Sequence, residues 1–361
     1  MDNFREVDIL ASKSVADSGT ETVDLSVDEP ITELAVHFAV TNGAAVADNV
    51  PAESCISKIE IVDGGQVYWS TSGFEAIAAY VYESDKWPPT FMYELANGGQ
   101  NVTIPLRFGR FLGDTQFAFS PTKLLNPQVK ITWAKNALHL TAKCTLGVSA
   151  RVMQGVGIPT SALMVKNVRT FTTASSGIEG TDLPVDLPYR RLYVRPYLTT
   201  EAMINLITNY KLDCDTGRLI VFDLSQWDFV ELVERMFPLV SYRKYDAWDN
   251  AGTKYGWFGC TKSVCGNAAT SGYIVSGETN EIDYFLTRAM LHDGSAATDL
   301  AVIAQVLGSC PESTLCYQFG LPNEPDTWFR ANRFKSVKLN LTQGAASGAV
   351  GILLQQPRAI P

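Results

Sequence analysis

The chain is short of the residues on which most enzyme chemistry rests. Its 361 residues include three histidines, His37, His139 and His292, far apart in sequence. A cupin-type metal site needs clustered ligands such as His-x-His, and there are none. No Gly-x-Ser-x-Gly elbow and no Gly-x-x-x-x-Gly-Lys-Ser/Thr loop occurs, so the usual marks of an acyl-transfer serine and a phosphate cradle are absent. The seven cysteines, at 55, 144, 214, 260, 265, 310 and 316, are odd in number and contain no Cys-x-x-Cys pair. Reduced thiols in a protein made in the cytoplasm are the expectation. A local bridge or a zinc site at Cys260/Cys265 or Cys310/Cys316 is the alternative. No catalytic, cofactor-binding or metal-ligating residue is assigned.

Charge is also scarce. Charged residues make up 19% of the chain, and the net charge is −9. The first thirty residues carry eight acidic side chains, with Arg5 and Lys13 as the only bases. A protein that neutralises phosphates needs clustered Lys and Arg, so direct nucleic-acid binding is not expected. No apolar run reaches the roughly 18 residues that span a bilayer. The opening MDNFREVDIL has no basic stretch followed by an apolar one, so no secretory leader is expected. Hydrophobic residues reach 46%, and Thr, Val, Gly and Pro are plentiful, which favours β structure.

What is present is a repetition. Residues 18–41, SGTETVDLSVDEPITELAVHFAVT, align without a gap to residues 176–199, SGIEGTDLPVDLPYRRLYVRPYLT, with 11 of 24 positions identical at an offset of 158. The spacing exceeds the roughly 20–50 residues of a solenoid unit and matches a whole domain. Two tandem copies of one domain follow.

The copies stay in step with shifts that mark insertions. KIEIVDGGQVYWSTSGFEAIAAYVYE (58–83) matches YKLDCDTGRLIVFDLSQWDFVELVER (210–235). Each reads as an alternating strand, a turn, a second strand and a helix. The turns are Asp63-Gly64-Gly65 and Asp215-Thr216-Gly217. Both helices begin with a capping-box pattern, Ser72 with Glu75 and Ser225 with Asp228, which makes these acids structural. Phe229, Leu232, Val233 and Met236 form an apolar face on the second helix. Asp213-x-Asp215-x-Gly217 resembles a calcium loop, but the twelfth place is Leu224 instead of a glutamate, and a turn is the reading taken. Asn101–Thr103 and Asn340–Thr342 match the glycosylation acceptor by chance composition.

A third block pairs Phe108-Gly109 with Phe319-Gly320, Asp114–Phe117 with Asp326–Phe329, and Val129–Ile131 with Val337–Leu339, now at offsets of about 208–212. Copy two therefore holds an insertion of nearly sixty residues within about 240–313. It is expected to be long and irregular, hence exposed or functional, with Ala301–Leu307 a strand or a helical turn. The predicted organisation is an arm or first strand at 1–17, a first domain at 18–158, a linker and leading strand at 159–175 and a second domain at 176–361. Gly155–Ser161 is the strongest interdomain break. About eight strand candidates per copy, with one helix after the fourth or so, predict an all-β chain of two tandem eight-stranded jelly rolls, each with a short inserted helix.

This pattern, with the stretch TIPLRFGRFLGDTQFAFSPTKLLNPQVKITW (103–133), resembles the double jelly-roll major capsid proteins of tailless icosahedral viruses. That lineage includes adenovirus hexon and the capsids of membrane-containing bacteriophages. The resemblance spans nearly the whole chain as architecture. It implies a structural, non-enzymatic protein, present in a virion and synthesised in the host cytoplasm. Homotrimers would present six similar domains as a pseudo-hexameric capsomer that tiles a shell. Neighbouring capsomers, minor capsid or penton proteins and an internal membrane would be partners. The 240–313 insertion would be an outward tower, its aromatics Tyr245, Trp248, Tyr255, Trp257 and Phe258 capping it, lining the three-fold or filling its core. Two rival readings remain. One is a secreted-type tandem jelly-roll glycan hydrolase using Asp246, Trp248 and Asp249. The other is a carbohydrate-binding or tail-fibre module with exposed aromatics.

Overall fold

The structure is a computed structural model. It describes residues 4–44, 50–92, 97–198, 203–249, 260–261, 266–268, 274–276, 285–292 and 299–360, and between 242 and 307 it describes strand backbone alone. The first copy runs β1 (Phe4–Val15), β2 (Ser18–Asp24), β3 (Ile31–Thr41), β4 (Ile56–Asp63), β5 (Gln66–Thr71), α1 (Gly73–Ser84), β6 (Thr90–Met92), β7 (Gly99–Arg107), β8 (Pro127–Ala134) and β9 (Cys144–Met153). One sheet has the order β1-β9-β3-β7, with the short β6 added at its edge; the other is β2-β8-β4-β5.

The second copy repeats this order. It runs β10 (Ser161–Thr172), β11 (Ile178–Leu183), β12 (Arg191–Tyr197), α2 (Met203–Leu206), β13 (Ile207–Cys214), β14 (Leu219–Ser225) and α3 (Gln226–Met236). After the insertion come β21 (Leu315–Gln318), β22 (Val337–Gln343) and β23 (Ala349–Ala359). Its sheets are β10-β23-β12-β21 and β11-β22-β13-β14, the same wiring strand for strand. The chain is thus all-β, with two tandem jelly rolls. The helix of each roll follows its fifth strand, not its fourth, because β1 and β10 are paired members of the sheets.

The insertion differs from the sequence expectation. It contains β15 (Val240–Asp249), β16 (Cys260–Thr261), β17 (Gly266–Ala268), β18 (Ile274–Ser276), β19 (Phe285–His292) and β20 (Asp299–Pro311). β20 pairs antiparallel with β15, β16 and β19. Ala301–Leu307 lies inside β20. The Gly, Ser, Thr and Asn content suggested irregular loop, but the β-branched and aromatic residues between them supply enough strand preference for ladders.

Alternation sets the core. Along β3, Leu34, Val36, Phe38 and Val40 are buried while Ala35, His37 and Ala39 on the other face are half-buried, the period-2 signature of a strand over a core. The hairpin turns repeat at the level of single atoms. Gly64 adopts φ +57°, which glycine tolerates without Cβ strain. Asp63 accepts from the backbone N–H groups of Asn126 at 2.6 Å and Leu125 at 3.3 Å. Its counterpart Asp215 accepts from those of Lys335 at 2.7 Å and Ser336 at 3.1 Å. The Asp213 and Asp215 carboxylates are therefore turn anchors.

Both helices carry complete capping boxes. The Ser72 and Ser225 hydroxyls accept from the N–H groups of Glu75 and Asp228, and the two carboxylates reach back to the N–H of each serine. Replacing Ser225 with alanine is expected to lower stability by about 1 kcal/mol. In a denaturant titration the midpoint should fall while the slope stays the same.

Candidate functional site: the seam between the two rolls

In the described residues, chemistry-bearing side chains concentrate where the rolls meet. The joint starts in backbone. β5 of the first roll and β10 of the second run parallel and bridge at Ser70 and Lys166, fusing two four-stranded sheets into one of eight. The Leu163 N–H donates to the Phe108 carbonyl at 2.7 Å, and the Leu163 side chain is fully buried between Phe117 and Trp328.

α1 then lies along the outward face of β12. The sequence explains why it can. GFEAIAAYVYES is apolar almost all round, so the helix has two faces to bury. One face meets its own roll, and the other brings Phe74, Tyr82 and Glu83 against the second roll. The Arg195 guanidinium sits 4.5 Å from the Phe74 ring and 4.6 Å from the Tyr197 ring, a stacked cation–π arrangement. The Tyr82 hydroxyl donates to the Thr314 carbonyl at 2.6 Å. The Glu75 carboxylate accepts from the Asn167 side-chain amide at 3.0 Å. It lies so close to Gly351 that a Cβ there would come within 2.3 Å of its oxygen.

The centre of the seam is an ion cluster. Glu83 Oε2 accepts from Arg190 Nη1 at 2.5 Å and Arg191 Nη1 at 2.6 Å, and Oε1 accepts from Arg190 Nη2 at 2.9 Å. The three side chains are 2%, 1% and 4% exposed respectively, so the charges lie out of water. Other donors of the two arginines are paired as well. Arg191 Nε donates to Gln318 Oε1 at 2.6 Å, Arg190 Nη1 to Gln355 Oε1 at 2.8 Å, and Arg190 Nε to the Pro322 carbonyl at 2.9 Å. Burial pushes the Glu83 carboxyl up, but Arg191 and Arg190 outweigh it and hold it below the ordinary carboxylate range. A cavity of about 400 Å³ opens beside the cluster, lined by Asp85, Arg110, Phe237 and Asn323 among others.

A second group of acids has no such partners. Glu53 and Glu312 are each 1% exposed. Neither Glu312 oxygen has a hydrogen-bond partner, and Glu53 has none beyond its own backbone N–H. Burial pushes the Glu53 carboxyl up to about 7. Burial, then the neighbouring Glu53, raise Glu312 well above its usual range against the pull of Arg195. Both are therefore protonated under mildly acidic conditions.

The residues singled out in sequence do not converge. His37 lies on β3, bonded to Ser149 at 2.8 Å and Thr103 at 3.2 Å. His139 is buried, with Nδ1 3.6 Å from Cys55 Sγ; burial pushes that thiol to about 11, which leaves it unreactive at neutral pH. Cys55, Cys144, Cys214, Cys310 and Cys316 are buried and outside any disulfide, and among the described residues no three His, Cys, Asp or Glu side chains gather as metal ligands. Cys265, Tyr255, Trp257 and Phe258 lie outside the described residues. Cys260, Tyr245, Asp246, Trp248, Asp249 and His292 are described as backbone only. Sequence reasoning missed Glu83, Arg190 and Arg191. The signal was there: where copy one has Thr32 and Glu33, copy two places two arginines at the entry to β12, just ahead of the buried run 192–194.

Two outcomes follow from the seam. Replacing Glu83 with alanine leaves two buried guanidinium groups unpaired and should cost about 3–5 kcal/mol. The same change at Asp326, in an exposed pair with Arg330, should stay within about 0.5 kcal/mol; thermal unfolding of both variants makes the comparison. For Glu53 the folded carboxyl titrates near 7 against an ordinary 4.5, so the folded state holds the extra proton between these values. Stability is then highest at and below about pH 4.5 with respect to this group, falls as pH rises through about 7, and is lowest above it, a span of about 3 kcal/mol. Glu53→Gln should flatten the melting temperature between about pH 5 and pH 8; an unchanged slope would rule the assignment out.

No protein-family model and no curated protein matches the sequence. Solved structures do match the fold. The STIV MCP aligns with a TM-score of 0.63 at 12% identity, covering 99% of this chain and 97% of that one. PBCV-1 VP54 aligns at 0.58 and 14%, covering 99% and 94%. The major capsid protein P2 from bacteriophage PM2 aligns at 0.54 and 9%, covering 99% and 98%. Over nearly its whole length the chain has the fold of double jelly-roll major capsid proteins.

Proposed function

We propose that the protein is a structural major capsid protein of an icosahedral virion, acting by assembly and not by catalysis. The observation that carries this reading is the seam. It joins two rolls of identical wiring side by side, through a shared sheet and a buried ion cluster. A rigid two-roll chain is half-way to a tile. Three such chains around a three-fold axis give a pseudo-hexameric trimer, and heterologous contacts at its edges let it cover a closed surface. The whole-chain likeness to capsid proteins supports the same reading.

Within it, the first roll takes 18–158 with 1–17 as its leading strand, and the second takes 176–361 with 159–175 leading. The 240–313 insertion projects as a tower. Neighbouring capsomers and minor or penton proteins are the partners, and an internal membrane lies beneath the shell. The acidic first thirty residues keep that inner surface from holding nucleic acid directly. Synthesis is in the host cytoplasm.

Light scattering on the purified native protein, followed by negative-stain imaging, tests the reading. A mass of about three chains with hexagonal outlines is the expected result. A stable monomer at micromolar concentration without hexagonal or shell-like objects would overturn it, and the cavity between the rolls would then be screened for glycan binding.

A further inference from the structure

The ion cluster of the seam carries more positive charge than its own carboxylate cancels. Glu83 is set between two guanidinium groups, those of Arg190 and Arg191, and one positive charge is left over. The other cations nearby are matched. Arg107, which also acts on Glu83, is paired with Glu33 at 3.0 Å. Arg110 is paired with Asp114, through Nε at 2.7 Å and Nη2 at 2.9 Å. The second acid lining the cavity beside the cluster, Asp85, is exposed and stands at the mouth, where water screens it.

The donors are held ready. Arg191 gives Nε to Gln318 and Nη1 to Glu83, which leaves Nη2 without a carboxylate or carbonyl oxygen among the described residues. The Arg191 guanidinium lies 5.4 Å from the Phe237 ring, and that of Arg190 lies 5.8 Å from the Trp328 ring. Arg190 Nε is tied to the Pro322 carbonyl at 2.9 Å. A ligand that meets these groups does not have to order two long side chains first, so a large part of the usual cost of binding is already met by the fold.

The cavity also has an apolar wall. Met236, Phe237 and Pro238 at the end of α3 line it, together with Pro322. Its volume of about 400 Å³ is more than a bare ion fills. It falls in the range of roughly 300–1,000 Å³ typical of small-molecule sites, where an apolar wall and a few fixed polar groups occur together. The first roll has Thr32 and Glu33 in place of Arg190 and Arg191 and so lacks the surplus charge. One site per chain follows.

We infer that this cavity binds a small organic carboxylate, its head on the guanidinium groups of Arg191 and Arg190 and its apolar body against Phe237 and Pro238. A monoanion matches the one surplus charge, and a carboxylate matches the planar fork of a guanidinium. With it bound, two arginines face two carboxylates, Glu83 and the ligand, and Asp85 stays outside the set. The inference stands on the cavity and does not depend on how chains assemble.

Isothermal titration calorimetry on the full-length chain tests it with three probes. They are benzoate, its uncharged isostere benzamide, and acetate, which is the head without the ring. Two variants locate the site. Asp85→Asn removes the acid at the mouth and keeps a residue that accepts the left-handed φ of 55° found there. Met236→Glu puts a carboxylate of the chain's own on the apolar wall. The expected result is one benzoate per chain with a Kd below about 1 mM, acetate at least about tenfold weaker, and no measurable binding of benzamide. Benzoate should bind about threefold tighter to Asp85→Asn and at least about tenfold weaker to Met236→Glu, with circular dichroism unchanged in both; if Met236→Glu fails to fold, Asp85→Asn decides alone. No benzoate binding to the wild-type chain, equal binding of benzamide, or binding that the folded variants leave unaltered would overturn the inference. None of these outcomes bears on the assembly reading, which is tested by particle mass and shape.

Discussion

One buried carboxylate holds the two rolls as a single body. Glu83 ends a helix of the first roll and is gripped by two adjacent arginines from the second. A buried ion pair seldom adds net stability over a hydrophobic filling of the same shape, since desolvation offsets most of the attraction. Breaking it is another matter, because the charges left behind have no water to turn to. The cluster therefore acts as a condition on the fold. The rolls lie in this relation, with this register of helix on strand, or three charges are stranded. Shape alone would let an apolar helix slide along an apolar sheet; the paired guanidinium groups select one position.

That condition explains how two copies of one domain came to differ. In the first roll, Glu33 on β3 bonds Arg107 on β7 at 3.0 Å. In the second, the matching places hold Arg191 and Gln318, bonded at 2.6 Å. Exchanging the acid for arginine and the arginine for a neutral amide keeps the link across the sheet. It also releases a positive charge toward the neighbouring helix. α1, covered on both sides, is apolar nearly all round. α3, covered on one side, keeps Asp228, Glu231 and Arg235 outward. The divergence between the copies is concentrated in what each face touches, while turn anchors and helix caps stay the same.

This division also governs what could be read from sequence. The offset of 158, the turn carboxylates Asp63 and Asp215, and the capping boxes at Ser72 and Ser225 are local devices, set by neighbours a few residues away. They were legible for that reason, and with them the all-β tandem fold. Glu83 was not, because its partners lie more than a hundred residues on and nothing near it in sequence marks it. Arg190 and Arg191 were visible as adjacent charges at the head of a buried strand, but an alignment built on identities passes over differences. The insertion misled for a related cause. Its turn-rich composition reads as loop, while its strands are fixed by pairing with β20, whose partners on β15 lie 50 to 68 residues away.

The unpartnered acids add a last constraint. Glu53 comes from the first roll and Glu312 from the second, and each raises the energy of ionising in that buried setting. An apolar pair at these places would pack without penalty at any pH, so the carboxyls give the seam a dependence that packing alone would not have. Protonated, they are neutral fillers; ionised, they oppose the closure that Glu83 and its arginines enforce. The cluster at one end of α1 holds at neutral pH and weakens only in acid, when Glu83 takes up a proton. The acids near its other end weaken the joint in the opposite direction. The two terms together place the tightest seam in a mildly acidic window, above the titration of Glu83 and below that of Glu53.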